Sequence, residues 1–322
     1  MNVNRRISIV ALGALASFAS FGQDYPSRPV KLIVPLSPGS GSDIVGRLLA
    51  QKLSELWNQP VVVENRLGAG GAVGTASVAK AAPDGYTLLV HGSGALAASA
   101  ALNHKLPYDA LVDLVAVAPL ASLPQVVVVS PSSGFKTLGD LIAAAKARPR
   151  QLAYASPGVG SSVHFTTEKF QRVVGVDLLH VPYKGGPEAM NDVMAGRATL
   201  FIPSIGTAMP LIQSGKLLPL AVTSATRFAG LPAVPTVAES GYGDFDDAIL
   251  FGVWAPAAIA KDVLAKLAID IAKACATPDV LEQLSRLAAV PVAMGQADFS
   301  RAVKAEIEGA ARMAKAAGMT ID

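Results

Sequence analysis

Cysteine is almost absent from this 322-residue chain, Cys275 being the only one. A single thiol excludes an internal disulfide framework and any cysteine-based metal cluster, so stability has to come from a buried core. Charge is also scarce, at 16% of residues, with a net +3 that falls to about +1 once Arg5 and Arg6 of the leader are set aside. No basic run occurs elsewhere, which excludes DNA and RNA as partners. The four histidines, His91, His104, His164 and His180, are scattered without zinc-ligand spacing. No Gly-x-Ser-x-Gly elbow occurs, and acids are few beside the glycine loops, which argues against a hydrolase, a paired-carboxylate enzyme or a Mg²⁺ site. No cofactor or metal is expected.

The N-terminus sets the compartment. Arg5 and Arg6 precede the apolar stretch Ile7 to Phe21, and Ser20 and Gly22 supply the small residues of a cleavage site. The sequence predicts a signal peptide over 1–22, cleaved near Gly22, and a periplasmic location. The stretch is shorter than the roughly 20 residues that span a bilayer. Asn4-Arg5-Arg6-Ile7 only faintly resembles a twin-arginine signal.

With 51% apolar residues, the remaining 300 or so residues suit two ordinary domains. Apolar bursts alternate with helical patterns throughout, which predicts an α/β protein with largely parallel sheets. Val30 to Val34 and Val61 to Val63 read as strands, and Asp43 to Trp57 has a helix period. Thr137 with Asp140 reads as a capping box opening a helix to Arg148, and Ser162 to Val174 reads as a second helix. The C-terminal portion reads as mostly helical. No Ser/Gly-rich linker divides the chain, so the domains are expected to join through ordered strands crossing near Pro119–Val128 and Leu218–Ser224. That gives one domain of 23–122 plus 224–322 and another of 123–223. Two crossings make a hinge, and a cleft forms at the strand C-termini.

Three strand-to-helix loops are candidates for that cleft. Ser37, Gly39, Ser40, Gly41, Ser42 and Asp43 form the first, where backbone N–H groups and a helix N-terminus favour an anion. Taken alone, Asp43 reads as a helix cap. Ser156, Gly158, Gly160, Ser161 and Ser162 repeat the pattern in the other half, with His164 in the next helix turn. A loop in each domain describes a pincer for a carboxylate. Tyr183 of the third loop offers an aromatic wall, and Ser93 and Ser204 qualify by lying just past strands. The segment Gly68-Ala69-Gly70-Gly71-Ala72-Val73-Gly74 misses dinucleotide spacing and reads as tight packing of helix on strand.

These residues resemble the Bug-type extracytoplasmic solute receptors of tripartite tricarboxylate transporters. The resemblance runs from Tyr25-Pro26 and Arg28-Pro29-Val30 through Pro35-Leu36-Ser37-Pro38-Gly39, Asp43 and Arg47. It continues in Val63-Glu64-Asn65-Arg66, Pro83-Asp84-Gly85-Tyr86-Thr87-Leu88, Tyr154-Ala155-Ser156-Pro157-Gly158 and His180-Val181-Pro182-Tyr183-Lys184-Gly185. It implies a two-domain periplasmic-binding-protein fold of the Venus-flytrap, type II-like kind. The two main loops then face each other across a cleft and hold a carboxylate by backbone amides and waters. It also implies delivery of the ligand to membrane subunits of such a transporter; the chain itself is expected to be a monomer without enzymatic activity. The sequence departs from the family at Ser40, usually glycine, and at Ala198-Thr199, usually Val-Asp. Organic acids, acidic amino acids and aromatic acids all remain open as ligands. A sensory role with a membrane partner, or an exported hydrolase using Ser93 or a serine of the second loop, are the alternatives.

Overall fold

The computed structural model describes residues 25–102, 105–243 and 245–317. The expected signal peptide, its cleavage point and His104 lie outside the described residues. Among the described residues, no helix is long and apolar enough to cross a membrane.

The first lobe begins with β1 (Val30–Val34), whose Val30, Leu32, Ile33 and Val34 are fully buried. Such a run, apolar on both faces, belongs inside a sheet covered on both sides. It leads into α1 (Gly41–Trp57), which buries Val45, Leu48, Leu49 and Leu53 at helical spacing. β2 (Val61–Asn65), α2 (Ala72–Ala79) and β3 (Thr87–Gly92) follow, with β2 and β3 parallel to β1 on either side. Next come α3 (Ser93–Leu102) and the long β4 (Leu114–Pro124).

The chain then enters the second lobe: β5 (Val126–Val129), α4 (Leu138–Ala147), β6 (Ala153–Ser156), α5 (Ser162–Val174), β7 (Leu179–Pro182), α6 (Gly186–Met194), β8 (Leu200–Phe201), α7 (Ile205–Gln213) and β9 (Leu218–Val222). Both capping-box hydrogen bonds of Thr137 and Asp140 are made at α4. The return passes through β10 (Ala248–Pro256), α8 (Lys261–Cys275), α9 (Pro278–Arg286), β11 (Val290–Pro291) and α10 (Gln296–Ala317). Half-buried Cys275 ends α8, its thiol pushed up to about 11 by burial.

Two sheets result, ordered β11-β4-β10-β3-β1-β2 and β7-β6-β8-β5-β9. They are mixed, which corrects the expectation of largely parallel sheets. β10 lies antiparallel between β3 and β4, and β5 runs antiparallel to both β8 and β9. A strand arriving from the other lobe enters from the opposite end, so it opposes the βαβ strands already there. The mostly helical reading of the C-terminal portion holds in α8, α9 and α10, while β10, just ahead of them, is a strand that the reading did not include.

The lobes meet where β4 passes into β5 through fully buried Gln125. There the N–H of Gln125 donates to Thr223 Oγ1 at 2.9 Å, and the Asp247 N–H donates to the Thr223 carbonyl at 3.0 Å. Val237 and Phe245, between β9 and β10, pack in the second lobe's core with Tyr154 and Leu220.

Candidate functional site

Four helices start around one cavity of about 50 Å3. Gly41 and Ser42 open α1, Ser162 and Val163 open α5, Gly186 opens α6, and Ser204 with Thr207 brings the start of α7. The first N–H groups of a helix have no intrahelical acceptor and carry its positive dipole end. At α1 the Ser40 hydroxyl accepts from Asp43 N–H at 3.4 Å, and at α5 the Ser161 hydroxyl accepts from His164 N–H at 3.2 Å. The N–H groups ahead of those caps are left to the cavity. Ser42 is fully buried, and its Oγ has no hydrogen-bond partner among the described residues. No Asp, Glu, Lys, Arg or His is among the lining residues. The arrangement presents N–H groups and hydroxyls to an anion without a counter-charge, the pattern of helix-terminus anion sites.

The first loop is held from behind by Asp43. Its buried carboxylate accepts from Gly39 N–H at 2.9 Å, Asn65 Nδ2 at 2.9 Å and Arg47 Nε at 3.0 Å. Burial raises its pKa, and the bonds from Arg47, Gly39 and Asn65 overcome this and hold it below the usual carboxylate range. Asp43→Asn removes a charged acceptor serving three donors and is expected to destabilise the protein by about 1–3 kcal/mol in urea unfolding. A change below about 0.5 kcal/mol would exclude this anchoring role.

The second loop rests on a stack of rings. His180 lies 4.6 Å from Tyr154 and 4.3 Å from His164, centroid to centroid, with the planes within about 10° of parallel. Gly160 N–H donates to His164 Nδ1 at 3.2 Å, and Ser156 Oγ pairs with His180 Nε2 at 2.6 Å. Burial pushes His164 down to about 4; burial and the neighbouring His164 push His180 down to about 3. Both rings are therefore neutral at pH 7, which the Gly160 bond requires. The Ser156–His180 pair is not a nucleophile and base open to substrate, because Ser156 is fully buried and also bonded to Gly158 N–H at 3.1 Å.

Of the residues expected at the site, Gly39, Ser40, Gly41, Ser42, Ser161, Ser162 and Ser204 line the cavity. The structure gives the others different positions. Asp43, Ser156 and His164 support the loops from behind. Ser37 lies against Gly185 of the opposite lobe, a Cβ on which would stand 2.2 Å from Ser37 Oγ. Tyr183 gives its hydroxyl to Asp192 at 2.7 Å, leaving Gly186 of that loop at the cavity. Gly158 and Gly160 shape the turn at positive φ, and Ser93 is buried at the start of α3. Sequence reasoning missed the apolar lining: Leu36, Met190, Phe201, Ile249 and Phe251. It also missed Gly70. Gly74 does pack helix on strand, a Cβ there standing 2.7 Å from Pro35 Cβ, but a Cβ on Gly70 would stand 1.9 Å from the Val159 carbonyl oxygen across the cleft.

Residues 45–319 match the tripartite tricarboxylate transporter family receptor. The chain is 38% identical over 296 residues to protein BugT of Bordetella pertussis, covering 91% of each. Among solved structures it is similar to Rpa4515 of R. palustris with adipate, at 34% identity and a TM-score of 0.87, over 92% of this chain and 99% of that one. It is also similar to MatC of Rhodopseudomonas palustris with bound malate, at 29% identity and a TM-score of 0.84, over 89% and 99%. The periplasmic binding protein BugD matches at 32% identity and a TM-score of 0.84, over 92% and 99%. The chain belongs to the tripartite tricarboxylate transporter receptor family, as a Bug-type solute-binding receptor and not an enzyme.

Proposed function

We propose that this receptor captures a small carboxylate between its lobes in the periplasm, after export, and delivers it as a monomer to membrane subunits of a tripartite tricarboxylate-type transporter. The observation that carries this reading is the convergence of four helix N-termini, two of them capped by serines, on a cavity lined by no ionisable side chain. Fixed N–H dipoles bind an anion and offer little to a cation or a neutral sugar. The adipate of Rpa4515 and the malate of MatC support the same ligand class. Ligand contact with α1 on one lobe and with α5, α6 and α7 on the other favours the closed form, since only differential affinity shifts the population. We place the crossings at Gln125 and Asp247, so that the second lobe carries 126–246.

The test is calorimetric titration of the exported protein with a carboxylate panel including adipate and malate, after native mass spectrometry has weighed any retained ligand. Replacing Ser161 and Ser162 with alanine should weaken binding by about ten- to a hundredfold, with about 1 kcal/mol of stability lost at the α5 cap. Unchanged affinity in the double variant would remove the pincer, and turnover of a bound acid would remove the receptor reading.

A further inference from the structure

Between its serines the cavity is walled by carbon, and Phe251 of β10 holds a particular place in that wall. The ring lies between the starts of α1 and α5. A Cβ on Gly41, the first residue of α1, would stand 2.9 Å from Phe251 Cζ. A Cβ on Gly92 would stand 3.8 Å from Phe251 Cε1 and 2.7 Å from Ser162 Oγ, at the start of α5. Gly41 therefore makes room for the aromatic edge, and Gly92 for Ser162 and Ile249 beside it, so that the ring separates opposing anion-binding ends. Ile249 continues this wall, its Cγ2 standing 2.8 Å from that same Gly92 position. The space left is about 50 Å3, on the order of four water-sized groups. A carboxylate group and a few carbons fill it.

We propose that Phe251 is the specificity-determining residue of this site, restricting it to short carboxylates. The inference rests on the carboxylate reading above and narrows it. Chain length is gauged by the Phe251 ring.

The experiment titrates propionate, butyrate and adipate into wild type, Phe251→Ala and Phe251→Leu, with circular dichroism melts checking each fold. Wild type should bind propionate and butyrate in preference to adipate. Phe251→Ala should weaken butyrate and strengthen adipate, shifting their affinity ratio by about tenfold or more, and Phe251→Leu should fall between. A butyrate-to-adipate ratio that is the same in wild type and whichever variants fold overturns the inference. If no carboxylate binds any of the three proteins, the carboxylate reading itself falls, and this inference with it.

Discussion

Replacing Gly70 with alanine is expected to weaken ligand binding by about a hundredfold or more while the protein still folds. Gly70 sits at φ +64°, where an L-residue pays a penalty of about 1–2 kcal/mol. The larger effect comes from the opposite lobe. The new Cβ would stand 1.9 Å from the Val159 carbonyl oxygen and 2.9 Å from its carbon, and backbone cannot swing aside as a long side chain can. Separating the lobes relieves the contact, so the variant keeps both lobes folded and loses the closed form. Apparent affinity falls in proportion to the closed population, and about 3 kcal/mol against closure corresponds to roughly a hundredfold. Gly134→Ala is the control: its φ is +81°, but nothing lies within 4 Å of a Cβ there. Calorimetry, with small-angle scattering to follow compaction, separates the two. A Gly70→Ala protein that binds and compacts like wild type would show that the lobes do not need this contact to close.

The second large effect is acid sensitivity. His91 and His164 are buried and His180 is half-buried, and all three are held below the ordinary 6.5, at about 3, 4 and 3, chiefly by burial. Once unfolded, each takes up a proton near pH 6.5 that the folded chain refuses until far lower pH. The unfolded state then binds more protons throughout the interval from about 6.5 down to 4, so stability is full above that interval and falls as pH drops through it. Each histidine contributes up to about 1.4 kcal/mol per pH unit, against a total stability of about 5–15 kcal/mol. Melting temperature should therefore fall steeply between pH 6 and pH 4.5. His180→Phe, which retains an aromatic ring in the stack, should flatten that slope by one proton. A melting temperature constant over the interval would mean that these rings are solvated or charged in the folded protein.

The local parts of the design were legible in the sequence. The glycine-serine loops announced the starts of α1 and α5 because capping and helix-terminus chemistry act over four residues. The apolar period of α1 follows from its one-sided packing. The parts that escaped are non-local or lack a period. α3 is a run of alanine, serine and glycine buried on nearly every side, so no amphipathic pattern marks it. β10 pairs Phe251 with Gly92 and Ala121, partners more than a hundred residues away, and its apolar run has no flanking glycine-loop signature. Phe251 could be placed at the site only once that register was known. Gly70 was visible as a glycine, but its neighbour Val159 belongs to the other lobe, and nothing local encodes that approach. His164 and His180 read as scattered residues because β6 and β7 lie side by side only in the folded sheet.

The position of β10 also orders the way this chain is assembled. All strands of the second sheet lie within Val126–Val222, so that lobe's sheet is complete as soon as its own segment has emerged. The first sheet is then still in two fragments, β2-β1-β3 and β4, each presenting a bare strand edge with unpaired N–H and C=O groups. Insertion of Ala248–Pro256 between them joins the fragments and silences both edges in one event. The lobe that begins the chain is thus the one finished last, and its vulnerable interval lasts as long as the inserted lobe takes to be made.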